Sequence, residues 1–102
     1  MVVAIEKILA YTRGMDLKSF ERTLSVADAV SYNFVIIGEA ANHVPDDVVA
    51  SHPEIDWRQM RGLRNRLVHE YFGADVEIVW QTIEEDLPQV LPHLRALLGS
   101  GH

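Results

Sequence analysis

Apolar residues along this chain recur at steps of three and four, and no stretch alternates in period two with β-branched enrichment. The pattern predicts helices joined by short breaks. Val2 to Tyr11 is a short first helix, with Ile5, Ile8 and Leu9 as its stripe and Gly14 as its stop. A brief helical turn is expected after Asp16. The longest clear helix runs from about Ser25 to His43, where Val26, Val30, Phe34, Ile37 and Ala41 mark one face and Ala29, Ile36 and Ala40 widen it. A face that wide implies burial on two sides, by the core and by a partner. Gly38 in its middle costs on the order of 1 kcal/mol against alanine, which suggests close helix packing there.

Pro45 closes that helix, and Asp46 to Ser51 forms one turn before Pro53. Asp56 with Gln59 three residues on reads as a capping box opening a helix from Trp57 to about Phe72, stopped by Gly73. Asp75 caps the last helix, Val76 to about Leu98. Pro88 and Pro92 fall inside it, so a kink or a restart capped by Asp86 is expected. The expected fold is all-α, a four- to five-helix up-and-down bundle.

At 102 residues the chain is expected to form one domain, 1–102. With 48% apolar and 24% charged residues it has the balance of a folded protein rather than a disordered one. The absence of cysteine excludes disulfides and thiolate metal sites. No uninterrupted apolar run approaches the roughly 18 residues of a membrane span, so the expectation is a soluble, cytoplasmic protein with no membrane contact.

Net charge is −6, which by itself disfavours a polyanionic partner. The distribution reverses that. Four of the nine basic residues, Arg58, Arg61, Arg64 and Arg66, lie within nine positions, while the segment after them is strongly acidic. A concentrated basic patch on an acidic body indicates a local anion site.

That patch lies on the helix from Trp57. At about 100° per residue, Met60, Leu63, Leu67 and Tyr71 fall within roughly 80° of one another and form the core-facing stripe. Arg64, Val68, Arg61, Asn65 and His69 cover the adjoining arc, about 140° wide. Asn65 and His69 are four apart and stack. Tyr71 borders both faces. One helix thus gathers groups able to bind a phosphate, orient an imidazole, move a proton and donate a hydrogen bond.

The segment RNRLVHEY, Arg64 to Tyr71, fits the Arg-x4-His-x-Tyr signature and resembles HEPN domains. VIIGEAANHVP at 35–45, HPEIDWRQMRGLRNRLVHEYFG at 52–73 and DVEIVWQTIEEDLP at 75–88 are similar to the HepT-like branch, so the likeness runs from Ala4 over nearly the whole chain. The resemblance implies a dimerising helical bundle acting as a metal-independent ribonuclease, the toxin of a pair whose antitoxin is a minimal nucleotidyltransferase. It implies a functional set of Arg64, Asn65, His69 and Tyr71, with one signature from each subunit lining a cleft. It also implies that Tyr71 is a site the partner modifies with AMP, and that family members carry extra turns ahead of the segment matching Ala4.

The residues agree in outline. RNA is cut without a metal when its own 2′-hydroxyl attacks the adjacent phosphorus, which needs proton transfer and charge stabilisation. His69 is the candidate acid or base, Arg64 the phosphate ligand, Asn65 and Arg61 supporting or substrate-binding groups, and Tyr71 a neutral hydrogen-bond donor. No cofactor and no metal enter this scheme.

Plainer readings stand beside it. An arginine-rich face is commonly a solvated surface, and Tyr71 could serve as a core-edge aromatic. Glu39 either contacts an arginine of the signature or lies at an exposed edge, and the Glu39–His43 pair is too sparse for a metal centre. The rival function is a non-catalytic nucleotide- or protein-binding module that partners a nucleotidyltransferase.

Overall fold

The computed structural model describes residues 1–66 and 76–100, with side chains described through residue 63 and from 76 to 97. Every regular element among the described residues is helical: α1 (Val2–Thr12), α2 (Leu17–Arg22), α3 (Leu24–Asn42), α4 (Asp46–Ser51), α5 (Trp57–Arg66), α6 (Val76–Gln81), a π turn (Thr82–Asp86) and α7 (Leu87–Ser100). The fold is all-α. The expected continuation of α5 to Phe72 lies outside the described residues.

Thr12 ends α1 by donating its hydroxyl to the Ile8 carbonyl at 2.8 Å, and Gly14 turns the chain with a φ of 77°, a conformation that favours glycine. The turn expected after Asp16 is a full capping-box helix. Ser19 N–H donates to Asp16 Oδ1 at 2.8 Å, and Asp16 N–H donates to Ser19 Oγ at 2.9 Å.

The hydrogen bonds from the Ser19 backbone and hydroxyl hold the Asp16 carboxyl below its ordinary value. A carboxyl with a lowered folded-state pKa stabilises above its unfolded value and loses that contribution as pH falls through the folded one. The melting-temperature gap between wild type and Asp16→Ala should therefore be full at pH 5 and close as acid is added below pH ~4. A gap independent of pH would refute the assignment.

Helix α3 is the central element and packs against both α1 and α5. It buries Val30, Phe34, Ile37 and Ala41 of the predicted stripe, but at its start Ala27 is buried in place of the half-buried Val26, and Ile36 of the widened face is exposed. By length and composition α3 is apolar enough to cross a membrane, although Asp28 and Glu39 interrupt its apolar run. Its inner face is committed to the core of this bundle, while Leu24 and Tyr32 are largely exposed and Ile36 less so.

Helices α1, α3, α5 and the α6–α7 run surround one core, in which Phe20 of α2 and Trp80 of α6 lie 5.2 Å apart between ring centroids. Arg95 of α7 pairs with Glu6 of α1 at 3.1 Å, an exposed bridge of small energetic weight.

The last segment neither stops nor restarts at Asp86. Leu87 has helical φ and ψ, and its N–H donates to the Thr82 carbonyl five residues back, so the ladder slips by one residue and continues. Two causes coincide. Pro88 cannot donate to the Glu84 carbonyl, and its ring crowds that carbonyl in an α-helix. In addition, the buried residues Val79, Ile83, Leu87 and Leu91 are four apart, a spacing that drifts around an α-helix by about 40° per step. The wider π turn takes up that drift and keeps all four facing the core. Asp86 caps nothing here; its Oδ2 accepts a 2.6 Å hydrogen bond from Gln59 Nε2.

Candidate functional site on helix α5

Helix α5 starts where the capping pattern puts it. Asp56 Oδ1 accepts from the Gln59 N–H at 3.0 Å, while the Gln59 amide reaches across to Asp86 on the π turn. Trp57, Met60 and Leu63 are buried, and Trp57 Nε1 donates to the His52 carbonyl at 3.0 Å, fixing the entry of the helix. The core-facing stripe read from the sequence is observed as far as Leu63.

Arg61 is half-buried and turned toward α3. Its Nε donates to the Ala41 carbonyl at 3.1 Å, and an Nη donates to the Val44 carbonyl at 3.4 Å. These carbonyls lie at and just beyond the C-terminal end of α3, where the helix dipole favours a cation; the Ala41 carbonyl also accepts from the Val44 N–H at 3.3 Å. Arg61 thus fastens α5, which carries Arg64 and Asn65, to the central helix. Arg61→Met keeps the aliphatic stem and removes both bonds. It should lower the unfolding free energy by roughly 1.5–3 kcal/mol, measured by urea denaturation. A loss below about 0.5 kcal/mol would show that water replaces the guanidinium without penalty.

Arg64 and Asn65 occupy the last described turn of α5, with Arg64 three residues after Arg61. The backbone therefore brings Arg61, Arg64 and Asn65 onto one helix. His69 and Tyr71 lie outside the described residues, as does any contact from Glu39 to an arginine of the signature. His43 Nδ1 is 2.7 Å from the Glu39 backbone carbonyl rather than from its carboxylate. Among the described residues, no three metal-ligating side chains converge.

Sequence reasoning missed the ground around the start of α5. A cavity of about 310 Å³ is lined among the described residues by Asp56, Arg58, Gln59 and Gly62. A smaller one of about 130 Å³ lies between Glu54, Gln59, Asp86 and His93. Beside it the Glu54 carboxyl is held below its ordinary value, first by its own backbone N–H and then by hydrogen bonding to His52 and the positive potential of His52 and His93. His52 Nδ1 lies 3.2 Å from Glu54 Oε1. The available signal for the larger cavity was Gly62, a glycine inside an otherwise good helix.

Comparison with known proteins places this geometry in a family. The family model described as "Ribonuclease HepT-like" matches residues 1–97. The chain belongs to the HepT-like ribonuclease family, within the HEPN class of all-α domains. It is 41% identical over 87 residues to a protein of Thermococcus cleftensis named "Probable ribonuclease HepT", covering 85% of this chain and 79% of that one. It is also similar to two proteins of Methanocaldococcus jannaschii named as candidate RNases. One is 34% identical, with 81% of this chain and 76% of the relative covered; the other is 31% identical, with 84% and 74%. No solved structure matches.

Proposed function

We propose that this chain is a metal-independent endoribonuclease that works as a homodimer, with Arg64 and His69 as catalytic residues and Asn65 and Tyr71 assisting. The observation that carries the reading is the intact Arg-x4-His-x-Tyr sequence from Arg64 to Tyr71, in a chain matched over residues 1–97 by a ribonuclease family. Arg61 supports the site from behind, by holding α5 against α3.

In the proposed reaction the RNA 2′-hydroxyl attacks the adjacent phosphorus. His69 accepts the hydroxyl proton while the new O2′–P bond forms and the P–O5′ bond breaks. The leaving 5′-oxygen takes a proton from an imidazolium, supplied by the same histidine of a second copy. The products are a 2′,3′-cyclic phosphate and a free 5′-hydroxyl. Arg64 binds the phosphate through its planar fork of donors and stabilises the charge that develops on it. Asn65 orients the imidazole or contacts the phosphate. Tyr71, neutral at pH 7, donates to a phosphate oxygen. One helix carries one such histidine, so separate acid and base roles call for two subunits around an isologous cleft.

The chain then acts as a single cytoplasmic domain and as the toxin of a toxin–antitoxin pair. Its partner is a minimal nucleotidyltransferase that silences it by transferring AMP to Tyr71: the phenolic oxygen bonds to the α-phosphorus of ATP, and pyrophosphate leaves.

The test is incubation of the purified protein with total cellular RNA in EDTA. Cleavage giving 2′,3′-cyclic phosphate ends is expected. An absence of cleavage at a concentration where the protein is dimeric would overturn the reading in favour of a non-catalytic partner of a nucleotidyltransferase.

A further inference from the structure

Gly62 is the anomaly of α5. Within a helix a glycine costs about 1 kcal/mol against alanine, and that cost is normally explained by a neighbour packed too close for a side chain. Among the described residues a Cβ at position 62 would meet no atom within 4 Å, so packing among them does not require the glycine. What its missing side chain leaves is the wall of the 310 Å³ cavity shared with Asp56, Arg58 and Gln59. Arg58, Gly62 and Asn65 follow one another at steps of four and three, so they lie along one stripe of the helix. Gly62 precedes Asn65 by about 4.5 Å along the axis. The cavity therefore opens beside the stripe of α5 that carries Asn65, about one turn before that residue.

The chemistry of the lining narrows the occupant. The amide nitrogen of Gln59 is engaged by Asp86, and Asp56 Oδ1 by the Gln59 backbone. Arg58 is exposed and makes no ion pair among the described residues. Among the described residues the cavity thus offers a planar guanidinium donor and the second carboxylate oxygen of Asp56 as an acceptor, over a strip of bare backbone at Gly62. A phosphate would meet the Asp56 charge and is a poor fit. A flat, uncharged ring with donors and acceptors along one edge meets both groups and can rest against the glycine.

We propose that this cavity is a nucleobase subsite, taking one unpaired base of the RNA next to the bond that is cut. The proposal rests on the ribonuclease reading above. Single-stranded bases are commonly stacked on, or hydrogen-bonded by, arginine, and a carboxylate selects bases carrying an exocyclic amino group. Adenine, cytosine and guanine have that group, and uracil does not. Arg58 and Asp56 are accordingly the specificity-determining pair, and Gly62 is the position that keeps the floor open.

The experiment titrates the dimeric protein with the four nucleoside 5′-monophosphates and, separately, with ribose 5-phosphate, following the backbone amide resonances of Arg58 and Gly62. Saturable shifts are expected with the nucleotides, weakest with UMP, and none with ribose 5-phosphate. Gly62→Leu fills the cavity and should weaken binding tenfold or more; Asp56→Asn, which keeps a good helix cap, should erase the discrimination against UMP. If Gly62→Leu does not fold, Arg58→Ala makes the same test.

Equal shifts from ribose 5-phosphate, or undiminished binding to Gly62→Leu and Arg58→Ala, would overturn the subsite. So would conversion of the dimer to monomer by Gly62→Leu, since the groove would then belong to a second copy. Base binding by a wild-type protein that cuts no RNA would sink the ribonuclease reading and leave a base-binding cavity without a scissile bond beside it, so the two failures are distinguishable.

Discussion

His69→Ala should lose roughly 10²- to 10⁴-fold in the rate of RNA cleavage, the usual contribution of a positioned proton-transfer group. In the proposed reaction no other group of the signature changes protonation near neutral pH: the arginine stays charged, and the tyrosine and asparagine stay neutral. Arg64 would still bind the phosphate in the variant, so RNA affinity should fall far less than turnover. Circular dichroism and sedimentation establish that folding and dimerisation persist, and cleavage of a labelled RNA in EDTA is then compared with wild type. Mixed dimers sharpen the test. If one cleft needs a histidine from each subunit, an equal mixture with the variant after subunit exchange retains about one quarter of wild-type activity, whereas independent sites leave about one half. A folded, dimeric His69→Ala protein that cuts as fast as wild type would remove His69 from the mechanism.

The largest effect on stability is expected at Phe20. Helix α2 is six residues long, and Phe20 is its one buried residue, fully enclosed and tilted at 35° against Trp80. Replacing it by alanine removes the apolar transfer energy, leaves a cavity and breaks the aromatic pair, together about 3–5 kcal/mol. Against a total of roughly 5–15 kcal/mol for an ordinary domain, that is a large share. Too short to persist alone, α2 should lose its helicity with its anchor. Urea denaturation of Phe20→Ala measures the loss. A decrease under about 1 kcal/mol would mean that α6 and α3 close over the gap.

Some elements were legible because their causes are local. The stripe from Val30 to Ala41, the stop at Gly14 and the cap at Asp56 depend on residues within a few positions of one another, and the structure has each of them. Arg61 shows the opposite case. Its charge and its place on the helix wheel were readable, but its partners are carbonyls of Ala41 and Val44, brought near only by the packing of α5 against α3. Asp86 was read as a cap because acidic residues before prolines commonly are; the π turn and Gln59, distant in sequence, give it another partner. At the site, the signature could be recognised as a string, from Arg64 to Tyr71. The cavity at Gly62 could not, because a glycine in a sequence does not reveal whether the space beside it is filled.

The π turn also bears on how this chain compares with its relatives. It amounts to one residue more than a regular helix needs between Ile83 and Leu87, and the core contacts on either side are kept in phase by it. A lineage could drop a residue within Thr82–Asp86, together with the proline at 88, and recover an ordinary helix, with the stripe before and after still facing inward. What it would surrender is the reach from Asp86 to Gln59. A one-residue deletion in the last helix of this chain is thus best accommodated at this one turn. An alignment that forbids gaps inside helices would misplace every residue beyond it by one position.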